Sequence, residues 1–246
     1  MTNTDPAAFA GEYHDITWTH KGTFSASVLK YLSQNAEACD KNKIRGSRTA
    51  KGWLLEDLGD EEKATQEGEK YRLADFKFIK RSTIDDAFAG RATPDQLKQT
   101  LWLATYFGYI VAADKAGKPK KCTAQHFADW YLGMDCTGFV SAFFGIAGGK
   151  SIERYDNDVS KRRRAVGEIR SCDVMIRKEG EIYKHIALVE RASPRSGGGI
   201  VLKTAESVGG PTGVTSGVRR DLVVKSPGIF ALARGGESEF YIYPGR

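Results

Sequence analysis

Apolar and polar positions change their spacing along the chain, and each change marks an element. From Thr93, "TPDQLKQTLWLATYFGYIVAA" offers Thr93 as N-cap, Pro94 at the first helical position and Gln96 at the capping-box position. Leu97, Leu101, Ala104 and Gly108 then share one face, which predicts a long helix. The loop "DKAGKPKKC" and the short segment "TAQHFADWYLGM" follow. The next stretch, "YLGMDCTGFVSAFFG", predicts another helix, with Asp135 as N-cap and Phe139, Val140, Phe143 and Phe144 buried along one side.

After Gly149 the helical spacing gives way to alternation. "CDVMIRKEGEIYKHIALVERASPRSGGGIVLKTAES" predicts three strands, Asp173–Arg177, Ile182–Glu190 and Ile200–Glu206. Gly180 sits in the first turn and Gly197, Gly198 and Gly199 in the second. Short connections imply an antiparallel sheet. "DLVVK" and "FYIYP" add a fourth and a fifth strand. Upstream, "FSASVLKYLSQNAEAC" spaces Val28, Leu29, Leu32 and Ala36 as one helical face, and "EDLGDEEKATQEGEKYRLADFKF" is strongly polar until its apolar end. There is no fixed-period repeat and no low-complexity tract. The expected organisation is an N-terminal extension, residues 1–92, and a second domain, residues 93–246.

A chain of 246 residues, 41% hydrophobic, can bury one core or a core with a smaller lobe. The apolar run Tyr109–Ala113 falls far short of the roughly 20 residues of a bilayer span, so no transmembrane segment is expected. The start, "MTNTDPAAFAGEYHD", lacks the basic and apolar regions of a secretory signal, which leaves a cytoplasmic location or export without a cleaved leader. The net charge of +6 includes basic clusters at Lys118–Lys121 and Lys161–Arg164, attractive to polyanions. Neither cluster is interleaved with aromatics, so no nucleic-acid partner is expected. The 4 cysteines are widely spaced with no C-x-x-C pair and there are 4 scattered histidines, so neither metal nor other cofactor is expected.

The candidate chemistry starts at Cys136, which falls at the first helical position behind Asp135. Unpaired N–H groups and the positive dipole end favour an anion there, which for cysteine is the thiolate, and the same amides can hold an oxyanion. The opposing reading is a small buried hydrophobe. A partner decides between them, and "YKHIALVE" supplies His185 at the entry of a strand, on the face of Ala187 and Val189. On the following strand Glu206 can accept the second ring N–H and fix the tautomer, with Ser207 and Thr204 as alternatives.

These residues resemble a family. "DCTGFV" is similar to the D-C-S-G-[LF]-[VI] signature of NlpC-type papain-like cysteine peptidases, with Thr137 in place of serine. "EIRSCDVMI" resembles the segment that usually reads Gly-Asp-Leu-aromatic, with Cys172 at the glycine position and Asp173 at the aspartate, and "HIALV" resembles the block carrying the base. The resemblance spans roughly Thr123 to Ser207. It implies an α+β, papain-like core with the nucleophile helix packed on an antiparallel sheet; the N-terminal extension before it is expected to be mostly helical. It also implies Cys136 as nucleophile, His185 as base and cleavage of amide bonds in peptidoglycan stem peptides. The usual third residue is His, Asn or Gln, whereas Glu206 occupies the matching segment. Tyr131 and Asp135 are candidates for positioning substrate and Gln125 for a second oxyanion donor. A deamidase or transferase acting on protein is the alternative, and a non-enzymatic wall-binding protein a third reading. An antibacterial effector role, with an immunity or delivery protein as partner, would reconcile a wall substrate with the missing leader.

Overall fold

A computed structural model describes residues 5–32, 40–66, 79–113, 116, 121–146, 149, 151–196, 198–209 and 212–245. Their contacts form two compact units, one made from Tyr13–Asp135 and the other from the N-terminal helix and most of the chain after Asp135.

The Tyr13–Asp135 unit holds a hairpin, β1 (Ile16–Thr19) and β2 (Thr23–Ala26), and four helices, α2 (Lys41–Gln66), α3 (Arg81–Phe88), α4 (Pro94–Tyr106) and α5 (Ala124–Tyr131). The predicted capping box forms at α4: the Gln96 N–H donates to Thr93 Oγ1 at 3.2 Å, and the Thr93 N–H to Gln96 Oε1 at 2.8 Å. Gly108, expected to continue the helical face, instead ends the helix in a turn at φ +76°. The helix expected over "FSASVLKYLSQNAEAC" is corrected: the chain is strand at β2 and non-helical through Leu32. Its backbone pairs with distant segments, Val28 N–H with the Tyr13 carbonyl at 2.9 Å and Leu32 N–H with that of Met134 at 3.2 Å. Those bonds bury Val28 and Leu32 without a helix. Ala36 lies outside the described residues.

The other unit contains α1 (Pro6–Gly11), α6 (Cys136–Phe143) and six strands, β3 (Val174–Glu179), β4 (Ile182–Pro194), β5 (Ile200–Val208), β6 (Gly213–Ser226), β7 (Ile229–Leu232) and β8 (Ser238–Tyr243). Each strand pairs antiparallel with the next, and β8 returns to pair with β3 from Val174↔Tyr243 to Glu179↔Ser238. The sheet is thereby a closed barrel. This overturns the papain-like helix-on-sheet core expected from the sequence. Alternation marks strands and their antiparallel order, but it carries no information on whether the last strand meets the first. Bulges interrupt four of the six pairings, and each adds the local bend and twist that closure requires.

The interior follows from register. Met175 faces Ala187 on one side and Ile242 on the other, Phe240 faces Phe230, and Ile200 faces Leu222. All are at most 1% exposed and belong to one apolar cluster. Burial of each larger side chain contributes roughly 1.5–3 kcal/mol. "DLVVK" lies in β6 and "FYIYP" overlaps β8, while β7 and the hairpin strands, each of 4 residues, were not expected because they are too short for alternation to show.

The Lys161–Arg164 cluster is largely tied down. Arg162 donates to Asp156 at 2.8 Å and to the Tyr243 hydroxyl at 2.5 Å, and its guanidinium lies 4.1 Å from the centre of the Tyr241 ring. Arg163 makes a two-bond fork to Asp173, each bond 2.9 Å. Lys118–Lys120 lie outside the described residues. Among the described residues, no helix is long and apolar enough to cross a membrane.

Asp173, 2% exposed, also accepts from the Arg170 N–H at 2.8 Å and the Gly245 N–H at 3.3 Å. Asp173→Ala strands these donors at the start of β3 and is expected to cost about 2–4 kcal/mol of stability in urea unfolding.

Candidate active site

Cys136 is the first residue of α6, a helix with seven of its eight residues buried. The helix packs against β4 and β5. Phe9 of α1 lies 5.4 Å from Phe139 and 5.5 Å from Phe143 by ring centres, and the Ser141 and Tyr155 hydroxyls share a hydrogen bond of 3.0 Å. The apolar pattern of "CTGFVSAF" therefore clamps the helix along its length and fixes the thiol at its N-terminal end.

His185 lies near the start of β4 and is 8% exposed. Its Nε2 is hydrogen-bonded to the Glu206 carboxylate, and the ring is also hydrogen-bonded to Cys136, for which Nδ1 is the remaining nitrogen. Glu206, on β5, is fully buried. Besides His185, its carboxylate accepts from Arg220 of β6 at 2.9 Å and from the Thr204 hydroxyl at 3.1 Å. Arg220 also donates to Thr204 at 2.7 Å. The result is a continuous line of Cys136, His185, Glu206 and Arg220 carried by one helix and three adjacent strands.

Burial works against a charge on His185, but hydrogen bonds to Cys136 and Glu206, and the negative charge of both, outweigh it and push the imidazole from 6.5 up to about 9. Burial would likewise raise Glu206; His185 and Arg220 reverse this and hold the carboxyl below its ordinary 4.5. Both shifts favour a charged imidazole between one sulfur and one carboxylate partner.

No family model, curated protein or solved structure matches the chain.

The structure brings together Cys136, His185 and Glu206 of the residues singled out in the sequence. Thr204, one alternative to Glu206, supports the carboxylate instead, and Ser207 is buried one position further along β5, on the opposite strand face. The other three lie in the Tyr13–Asp135 unit. Gln125 uses its amide on Ser27, accepting from the N–H at 2.9 Å and donating to the carbonyl at 3.0 Å, and it reaches Asp129 at 3.1 Å. Tyr131 packs its ring 5.0 Å from Phe127 and 5.9 Å from Trp53. Asp135 is buried, and its N–H donates to the Gly90 carbonyl at 2.9 Å. Arg220 was not anticipated. Its signal is an arginine two positions before Leu222, on the face that Leu222 turns to the barrel interior.

The linkage to pH has a definite sign. His185 is raised, so its contribution to stability is full below about 6.5 and is lost as pH climbs through about 9. Glu206 is lowered, so its contribution is present above 4.5 and is lost as pH falls through its depressed value. An NMR titration of the His185 ring is expected to show a midpoint near 9 in the wild type. In Glu206→Gln, which keeps Cys136 but removes the other anionic partner, the midpoint moves to lower pH.

Proposed function

We propose that this protein is a cysteine hydrolase that opens amide bonds of peptidoglycan stem peptides through a thioester on Cys136. The observation that carries the reading is the hydrogen-bonded line from Cys136 through His185 to Glu206, with Arg220 behind it. A thiol beside an imidazole that is itself oriented by a buried carboxylate is the arrangement nucleophilic acyl transfer needs.

In this mechanism the Cys136 sulfur, as thiolate, attacks the amide carbonyl carbon while His185 holds the proton. The backbone amides of the first turn of α6 face the developing oxyanion. Collapse breaks the C–N bond as the imidazolium gives its proton to the leaving amine, and a thioester remains. His185, now neutral, takes a proton from water as the water oxygen attacks the thioester. The second collapse expels the Cys136 sulfur, which recovers the proton shared with His185, and releases the acid product. Glu206 keeps Nε2 protonated throughout, so that Nδ1 faces sulfur and substrate.

The substrate class is supported by the likeness of "DCTGFV" and "HIALV" to the NlpC-type blocks, because those blocks contain the nucleophile and the base. A net charge of +6 also suits an anionic peptide. This reading entails action at the cell wall and hence export.

Mass spectrometry of purified peptidoglycan fragments, incubated with the protein under reducing conditions, tests it. New stem-peptide fragments are expected with the wild type, and Cys136→Ala is expected to lower the rate by on the order of 10⁴–10⁶-fold. Glu206→Gln, which leaves the ring free to take the wrong tautomer, is expected to lower kcat by roughly 10²–10⁴-fold. Ammonia release from a protein without chain cleavage would replace this reading with deamidation, and full activity in Cys136→Ala would end it.

A further inference from the structure

We propose that Arg177 is the specificity-determining residue of this site, binding a carboxylate that the substrate carries beside its scissile amide. The proposal rests on the cysteine-hydrolase reading above. Three arginines of the barrel unit are each paired with an acid. Arg162 is paired with Asp156 at 2.8 Å, Arg163 with Asp173 at 2.9 Å, and Arg220 with Glu206 at 2.9 Å. Arg177 forms no side-chain ion pair or hydrogen bond with any of the described residues, and its Nε is buried without a partner.

Its place in the sheet is specific. Arg177 on β3 is in register with His185 on β4. Directly opposed residues of an antiparallel pair lie on one face with Cβ atoms about 4.5–5.5 Å apart, well within the reach of an arginine. The bulge follows at once: Lys178 pairs with Tyr183, so Lys184 is the extra residue beside His185, and a bulge of this kind re-aims the flanking side chains. On its other side Arg177 faces Phe240, 1% exposed, and two positions back on its own strand is Met175, fully buried.

The acids in range of that face are committed elsewhere. Glu179, two positions on along β3, pairs with Lys184 at 3.6 Å and accepts from Ser238 at 3.3 Å. Glu206 is held by His185, Thr204 and Arg220. A guanidinium stays charged at any working pH, and a partly buried one is costly until an anion meets it. Its planar fork matches a carboxylate with two parallel bonds. A substrate whose scissile carbonyl lies at Cys136 and whose carboxylate meets Arg177 is held at both ends of the reacting group.

The test uses two peptide amides identical except that one bears a free carboxylate, and the other a carboxamide, next to the scissile bond. The wild type is expected to favour the carboxylate in kcat/KM by on the order of 100-fold. Arg177→Gln is expected to bring that ratio close to 1, and Arg177→Lys, which keeps the charge and loses the fork, to retain part of it. No preference in the wild type, or an equal loss on both substrates in Arg177→Gln, overturns the proposal. Should Arg177→Gln fail to fold by thermal denaturation, Arg177→Lys decides, and a full wild-type ratio there rejects the carboxylate fork. Labelling of the wild type by neutral iodoacetamide separates the two levels. If Cys136 reacts no faster than Cys172, the hydrolase reading falls and takes this proposal with it; if it reacts faster and the substrate ratio is flat, only the role of Arg177 falls.

Discussion

A fully buried carboxylate, Glu206, is the constraint around which the barrel unit is arranged. Removing a carboxylate from water costs several kcal/mol unless charge and hydrogen bonds are returned to it. Here they come from β4 through His185, from β6 through Arg220 and from its own strand through Thr204. The offset holds only in one register. A slip of β4 by one residue against β5 would turn His185 to the other face and leave Glu206 with an incomplete set of partners. The electrostatics of the site and the pairing of the strands therefore specify each other.

Closure of the barrel makes that register hard to lose. With β3 paired to both β4 and β8, the order of the six strands closes on itself, and the apolar interior, with Met175, Ala187, Phe230 and Phe240 among its residues, fills the space between them. β4 and β5 also pack against α6, whose buried length holds the thiol beside the imidazole. A thiol on a clamped helix and an imidazole on a closed sheet are held in a fixed relation, the pre-positioning that the proposed acyl transfer draws on.

The basic excess of the chain takes on a different meaning once its arginines are followed individually. Arg162 and Arg163, which in the sequence read as a patch for polyanions, pair with Asp156 and Asp173, and the bond from Arg162 to Tyr243 of β8 fastens the segment before β3 to the barrel. Arg220 pairs with Glu206 inside it. Arg162, Arg163, Lys178 and Arg220 neutralise buried acids, whereas Arg177 carries a buried Nε without a partner among the described residues.

Local patterns were legible from the residues alone. The capping box at Thr93, the apolar stripe of "CTGFVSAF" and the alternation through His185 and Glu206 all depend on neighbours a few positions apart, where helix and strand periods act directly. That Glu206, twenty-one positions beyond His185, is its partner could be inferred only because consecutive antiparallel strands lie side by side. The closed barrel, the role of Arg220, the position of Arg177 opposite His185 and the extended course of Val28–Leu32 could not be read this way. Each depends on pairing with a strand or segment that the chain's own local period does not encode. The sequence by itself determined which residues could do chemistry and on which elements they sit. Only the tertiary structure decided which of them meet, because a buried charge is stable only where the whole sheet delivers its partners.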